Sequence, residues 1–204
     1  MSEAIIHGFI LAFGLILPLG VQNVFVFNQG AVQPNFLKAL PVIITASICD
    51  TLLISLAVLG VSVVVLDYYW LKMSLLFAGV LFLIYMGFVT WKNKSTIKEG
   101  ENSGLMSAKK QVVFAMSVSL LNPHALLDTI GVIGTSSLAY VDFEKIAFAI
   151  TCIIVSWVWF LSLGIAGRIS GKLDKSGRFL QVLNKISAVV MWGTAFYIGS
   201  TLLS

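Results

Sequence analysis

The sequence predicts an all-α, polytopic membrane protein with six transmembrane helices, arranged as two inverted three-helix repeats with broken first and fourth helices. The first observation is composition: 58% of the 204 residues are hydrophobic and only 11% are charged, whereas about a quarter of residues are charged in soluble domains. The second is the presence of six apolar runs, each long enough to cross a hydrocarbon core, which takes about 20 helical residues. The third is a weak internal repeat, described below.

Each apolar run is expected to be helical, because backbone groups in lipid must be hydrogen-bonded within their own segment. The predicted spans are Ile5–Phe27, Pro41–Leu66, Leu71–Trp91, Val112–Leu138, Lys145–Ala166 and Leu183–Leu203. The first run is expected to remain as a span and not to be a cleaved signal peptide. Glu3 and His7 stand where a signal peptide carries basic residues.

Basic residues are concentrated in alternate connections between the spans. The connections on the other side of the membrane carry only Lys72 and Lys145. Cytoplasmic loops carry the excess of Lys and Arg, so the first, third and fifth connections are expected in the cytoplasm and both termini outside the cell. The basic residues of the first, third and fifth connections are Lys38, Lys92, Lys94, Lys98, Lys109, Lys110, Arg168, Lys172, Lys175, Arg178 and Lys185.

The chain is interpreted as a single membrane domain, residues 1–204, with an internal duplication. The first repeat covers residues 1–91, a polar cytoplasmic linker covers 92–110, and the second repeat covers 111–204. Leu59-Gly60 matches Leu163-Gly164, and Tyr85-Met86-Gly87 matches Tyr197-Ile198-Gly199, in the same order. A repeat of three spans must enter the membrane inverted. The alternative is that apolar helices share such small-residue patterns by composition alone.

Proline interrupts the first and fourth spans at matching places. Asn23 follows Pro18 by five residues, and Asp128 follows Pro123 by five. Proline removes a backbone donor, and freed backbone groups at membrane depth are tolerated only beside protein or a wet cavity. Inverted repeats with such breaks form midplane binding sites in many secondary transporters. The alternative is a simple kink that improves packing.

Two carboxylates lie well inside the predicted spans, Asp50 and Asp128. A charge at the bilayer centre costs roughly 2.5–3.5 kcal/mol on insertion scales, so such residues usually mark a substrate, ion or proton pathway. His124 precedes Asp128 by one helical turn and shares its face, which is compatible with a proton site or with a cap beside the break. The alternative for both aspartates is a structural carboxylate bonded to a neighbouring helix, or one kept neutral by a raised pKa.

Neutral polar groups accompany the breaks and predict how a ligand would be oriented. Gly20 and Pro123 each precede a new half-helix, whose N-terminus can hold a carboxylate. Gln22, Asn23 and Asn122 add amide groups nearby. Half-helix ends for a carboxylate and aspartates for a cationic group together suit a basic amino acid.

At these positions the chain resembles the lysine/arginine exporter family (LysE type). The resemblance rests on Leu17-Pro18-Leu19-Gly20-Val21-Gln22-Asn23 with Asn28-Gln29-Gly30, Asp50, Leu121-Asn122-Pro123-His124 with Asp128, and Val190-Met191-Trp192. Val21 stands where the family usually has proline. The resemblance implies a transporter, not an enzyme, that exports L-lysine or L-arginine across the bacterial cell membrane, driven by the proton motive force. No cofactor is implied.

Two other functions remain open from the sequence. The first is export of another small amino acid or of a metal cation, as in the wider superfamily, although the chain lacks a soft-ligand cluster suited to cadmium. The second is a membrane thiol–disulfide carrier using Cys49 and Cys152. The expected partners are a basic amino acid, protons and the lipid bilayer, and a homo-oligomer is compatible with the sequence. A net charge of only +4 gives no sign of nucleic-acid binding, and no metal site is predicted.

Overall fold

The computed structural model describes residues 1–17, 20–61, 69–92, 105–120, 122, 125–126, 128–173 and 178–203. These residues form helices and connections, with no β-strand among them, so the all-helical prediction is confirmed for this part of the chain. The α-helices are α1 (Ser2–Ile16), α2 (Val21–Val32), α3 (Phe36–Leu56), α4 (Tyr69–Lys92), α5 (Ala108–Leu120), α6 (Asp142–Leu173) and α7 (Arg178–Leu203). A π-helical turn (Ala57–Val61) extends α3, and a π-helix (Asp128–Gly134) and a 3₁₀ turn (Ser137–Ala139) precede α6.

Length and hydropathy identify two membrane-length helices among the described residues. They are Phe36–Gly60 and Asp142–Leu173, each with a mean hydropathy of 2.3. Helices α1 and α2 together form a third apolar segment, which is bent by 77° at the break between them. These segments are those of a membrane protein, and the arrangement of six spans in inverted repeats stays a prediction.

Helix α3 begins five residues before the predicted start at Pro41. The side chain of Asn35 accepts a hydrogen bond from the backbone N–H of Lys38 at 3.0 Å, which satisfies one of the free donors of the first turn. This cap fixes the start of the helix at Phe36 and places Pro41 inside it. The sequence-based boundary followed the apolar run and missed the cap.

Helix α6 continues seven residues beyond the predicted end at Ala166. Arg168 and Lys172, which the sequence assigned to a connection, therefore lie on the helix. Close packing explains the extension, because Gly167 and Gly171 lie directly against the backbone of α2. Polar residues at a membrane surface do not end a helix when its backbone is packed in this way.

Helix α2 is enclosed by protein, with ten of its twelve residues buried. It packs most extensively on α6, while α4 packs on α7. Three apolar clusters surround the enclosed helix and its neighbours. Their central members are Phe148 and Cys152 in the first, Met86 and Met191 in the second, and Val26 and Phe160 in the third. The N-terminal end of α2 thus lies inside the molecule.

Candidate functional site

A cavity of about 220 Å³ lies where the three apolar clusters meet. This is far more than the 10–15 Å³ that one water molecule needs. Every α-helix except α5 contributes to its wall, as do Asn122, Ala125 and the π-helix. Most of the lining is apolar, and its polar residues are Gln22, Asn23, Asp50, Asn122, Thr129, Cys152 and Ser156.

Residues beside both predicted helix breaks line this cavity. The first contributes Ile16 and Gly20 through Asn23, and the second contributes Asn122, Ala125 and Thr129. The structure thus brings together five sequence-predicted site residues, namely Gly20, Gln22, Asn23, Asp50 and Asn122.

The remaining predicted site residues are less fully described. Pro18, Pro123 and His124 lie outside the described residues. Asp128 begins the π-helix immediately before Thr129, which lines the cavity, and its side chain lies outside the described part. Their roles stay predictions.

The carboxylate of Asp50 is held by two neutral donors. The Gln22 amide Nε2 donates to Oδ1 at 3.3 Å, and the Ser156 hydroxyl donates to Oδ2 at 2.8 Å. The ion pair found among the described residues joins the Met1 amino group to Glu144, away from this cavity. Within the described part of the chain, therefore, Asp50 has hydrogen-bond donors without a cationic partner.

Side-chain hydrogen bonds connect the end of α1 to the start of α2. The Asn23 amide Nδ2 donates to the carbonyl oxygen of Ile16 at 2.7 Å, which satisfies a C-terminal acceptor of α1. The indole Nε1 of Trp159 donates to Oδ1 of Asn23 at 3.3 Å. Gly20 is the N-cap of α2 and offers no side chain to cap it. The positive end of the α2 dipole therefore lies at the cavity wall.

Helix α6 supplies functional candidates that the sequence reasoning missed. Ser156 bonds to Asp50, Trp159 bonds to Asn23, and Phe160 lines the cavity. Together with Cys152, these residues follow one another at spacings of four, three and one, so they lie on one side of the helix. That spacing was readable in the sequence, but serine and tryptophan are common in membrane helices and gave no separate signal.

The two cysteines are free and buried, and of the two Cys152 lines the cavity. The Cys152 thiol donates to the carbonyl oxygen of Gly8 at 3.5 Å. Among the described residues, no group of three or more His, Cys, Asp or Glu side chains is placed to hold a metal ion. Neither the thiol carrier nor the metal exporter gains support from this geometry.

Comparison with known proteins supplies the family. Residues 13–201 match the family model described as LysE type translocator. The chain is 57% identical over 200 residues to YisU of Bacillus subtilis (strain 168), which is named as a candidate amino-acid transporter; the match covers 98% of this chain and 90% of that protein. It is 31% identical over 193 residues to the arginine exporter protein ArgO of Salmonella newport (strain SL254), covering 93% and 90%. No solved structure matches the chain.

The family match covers most of the chain, and the similarity to these relatives extends over nearly their whole length. Members of this family are membrane transporters and not enzymes. The resemblance seen in the sequence motifs is thereby confirmed. The chain belongs to the LysE type translocator family.

Proposed function

We propose that this translocator exports basic amino acids, L-arginine or L-lysine or both, from the cytoplasm in exchange for protons. The observation that carries the proposal is Asp50, a carboxylate that lines a cavity between two helix breaks and is held there by the neutral donors Gln22 and Ser156. A carboxylate at membrane depth is costly unless a positive charge reaches it. A substrate cation and a proton are the two species that a transporter can supply.

The surroundings of Asp50 suit both ends of a basic amino acid. The carboxylate would bind the side-chain ammonium or guanidinium group of the substrate. The first turn of α2, with Gln22, would receive the α-carboxylate, because a helix N-terminus favours negative charge. Asn122 faces the same cavity from the second break. The similarity to an arginine exporter supports the choice of a cationic amino acid.

Competition for the aspartates would couple the two flows. Exporting one positive charge from a cell that is negative inside costs about 2.3 kcal/mol per 100 mV, and one returning proton cancels this electrical work. Asp50 and Asp128 would alternate between binding substrate and binding a proton, so that each species leaves only when the other arrives. His124, one turn before Asp128, is the candidate proton carrier beside them.

The topology proposed for this cycle is the one predicted from the sequence. Six spans would form two inverted repeats, residues 1–91 and 111–204, joined by the cytoplasmic linker 92–110 in the bacterial cell membrane. Both termini would lie outside the cell. The distribution of Lys and Arg supports this orientation, since cytoplasmic connections carry the excess of basic residues.

Amino-acid efflux from cells lacking their own basic amino-acid exporters tests the proposal. Cells loaded with Lys- and Arg-containing dipeptides should release Lys or Arg faster when they make this protein. Asp50→Asn and Asp128→Asn should lower that release at least tenfold while the protein still inserts, and collapse of the proton gradient should abolish it. Glu3→Gln, which makes the same chemical change at an exposed residue near the N-terminus, is the matched control and should leave efflux unchanged.

Three outcomes would contradict the proposal. Normal efflux by the Asn variants would overturn the coupling scheme. Efflux of neutral amino acids alone would keep the transporter and remove the role of the aspartates. Absence of any amino-acid efflux, with the protein shown in the membrane, would favour a metal cation as substrate.

A further inference from the structure

One helix contacts both the carboxylate of the site and the first helix break. On α6, Ser156 is 2% exposed and donates to Asp50, while Trp159 donates to Asn23. Asp50 and Asn23 belong to the first predicted repeat, and α6 belongs to the second. The two contacts therefore join the two halves of the chain at the cavity wall.

We propose that Ser156 and Trp159 are positioning residues of the transport site: Ser156 orients the Asp50 carboxylate, and Trp159 holds the junction of α1 and α2 through Asn23. This inference rests on the proposed function for its meaning in transport. The two contacts themselves are measurable without a substrate, as described below.

The hydroxyl of Ser156 acts on one protonation state of Asp50. An O–H donor at 2.8 Å stabilises the ionised carboxylate more than the neutral acid. Gln22 donates to the other oxygen at 3.3 Å, so the hydrogen bond from Ser156 is the shorter of the two. Removal of Ser156 should therefore leave the Asp50 carboxylate with one donor and less firmly oriented.

Few other polar or titratable groups share the cavity with Asp50 in the described part of the chain. Helix α6 presents the Cys152 thiol, α2 presents Gln22 and Asn23, and the second break presents Asn122 and Thr129. The lining residues of α1, α4 and α7 are apolar. On its own helix, Asp50 follows the buried thiol of Cys49, and Asp128 adjoins Thr129 along the chain.

Trp159 acts on the shape of the junction. Its indole N–H holds the Oδ1 atom of Asn23, whose Nδ2 atom holds the last turn of α1 at Ile16. Asn23 is 5% exposed, so solvent offers little replacement for a lost partner. The ring also packs edge-on against Phe13 of α1, with centroids 5.8 Å apart. Loss of the N–H should loosen the junction without touching the charge of Asp50.

Carbodiimide labelling of the purified protein in lipid vesicles tests Ser156. Dicyclohexylcarbodiimide reacts with protonated carboxyl groups in membranes, and subtraction of labelling in Asp50→Asn isolates the Asp50 signal. Ser156→Ala should shift the pH of half-maximal labelling by about one unit, because the Asp50 carboxyl group loses a hydrogen-bond donor. Ser156→Thr, which keeps the hydroxyl, should restore the original value.

Ser162→Ala is the matched control for this experiment. Ser162 lies on the same helix, is exposed, and bonds to the carbonyl oxygen of Val158 within its own helix. The control should give the profile of the unmodified protein. If the Ser156→Ala profile coincided with it as well, Ser156 would have no positioning role. This readout needs no substrate, so it separates failure of the inference from failure of the proposed function.

Alkylation of Cys152 by a maleimide, in a Cys49→Ser background, tests Trp159. Cys152 lines the cavity, so a looser junction should raise its labelling rate severalfold in Trp159→Phe. The KM for the exported amino acid should also rise severalfold, with kcat and the labelling pH profile of Asp50 little changed. Trp157→Phe is the control, because Trp157 Nε1 donates to Thr51 Oγ1 at 3.0 Å between α6 and α3 on an exposed face. Equal labelling rates in the two variants would refute the role of Trp159.

Discussion

The two most extensive helix contacts in the described structure are made in different ways. Helices α2 and α6 meet backbone to backbone, because a Cβ atom on Gly30, Gly167 or Gly171 would overlap a carbonyl oxygen of the facing helix. Helices α4 and α7 meet through aromatic rings, and Gly87 makes room for the indole of Trp192. Phe88 and Trp91 lie around the same indole, with centroids 5.0 and 5.6 Å away.

This difference bears on where the site is built. A carbonyl oxygen moves only when its helix moves, whereas an indole ring can rotate about its side-chain torsions. Small residues that let backbones approach closely are the usual basis of tight packing between membrane helices. The tight pair, α2 with α6, carries Gln22, Asn23, Ser156 and Trp159. The residues that hold Asp50 and the first break thus lie on the less adjustable of these two contacts.

The largest effect is expected from Gly167→Ala. The added methyl group would overlap the carbonyl oxygen of Phe27 and lie 3.2 Å from the backbone nitrogen of Ala31, so α2 would have to move away from α6. Overpacking of this kind costs about 3 kcal/mol. We expect the melting temperature of the purified protein, followed by tryptophan fluorescence in detergent, to fall by roughly 5–10 °C.

Gly14→Ala is the control for this prediction. No atom would lie within 4 Å of a Cβ at Gly14, so the variant should melt like the unmodified protein. If Gly167→Ala also melted at the original temperature, the close approach of α2 and α6 would be wrong.

The glycines also show how far the sequence could go. Gly60 and Gly164 were paired as repeat markers, yet Gly60 has a φ of 95°, which glycine adopts most readily, and Gly164 packs against Ile43 and Gly30. Gly87 and Gly199 were also paired, but no atom would lie within 4 Å of a Cβ at Gly199. The glycines of the matching segments therefore lie in unlike surroundings. A pattern of small residues identifies positions, while the reason for each glycine depends on the neighbouring helix.

The site shows the same division. Asp50, Gln22, Asn23 and Asn122 were predictable because polar groups at membrane depth are costly and need a reason. A serine hydroxyl did not stand out in this way, so only its distance to Asp50 identifies Ser156 as part of the site. Helix interiors were predictable from apolar length, but the end of α6 depended on its contact with α2 and could not be read from its own residues.

A smaller effect is expected from Arg168→Gln, which tests the far end of the tight pair. The Arg168 guanidinium donates from Nη1 to the carbonyl oxygen of Gln33 and from Nη2 to that of Pro34, both at 2.7 Å. These bonds satisfy acceptors just past the end of α2. Because the contacts are partly exposed, their loss should cost about 2 kcal/mol. The melting temperature should fall less than in Gly167→Ala.

Arg168→Lys separates charge from geometry at this position. Lysine keeps the positive charge but cannot place two donors in a fixed fork. We expect Lys to recover less than half of the loss. Full recovery by Lys would mean that only the charge matters, and that the paired bonds to Gln33 and Pro34 contribute nothing.

The smallest of these effects is expected from Gly87→Ala in the aromatic pair. A methyl group at this position would overlap the Trp192 indole, and rotation of the ring would relieve the overlap at the expense of its bond from Nε1 to the carbonyl oxygen of Ile84, now 3.3 Å long. The loss of stability should be about 1 kcal/mol, measured by the same melting experiment.

In a Trp192→Phe background, the same substitution should cost less than half as much, since the smaller ring leaves room and the two residues are in contact. Gly193→Ala, on the same helix as Trp192 with no atom within 4 Å of its Cβ, should cost nothing. If Gly87→Ala instead proved as costly as Gly167→Ala, the ring would be as immovable as a backbone, and α4 with α7 would be a second rigid pair.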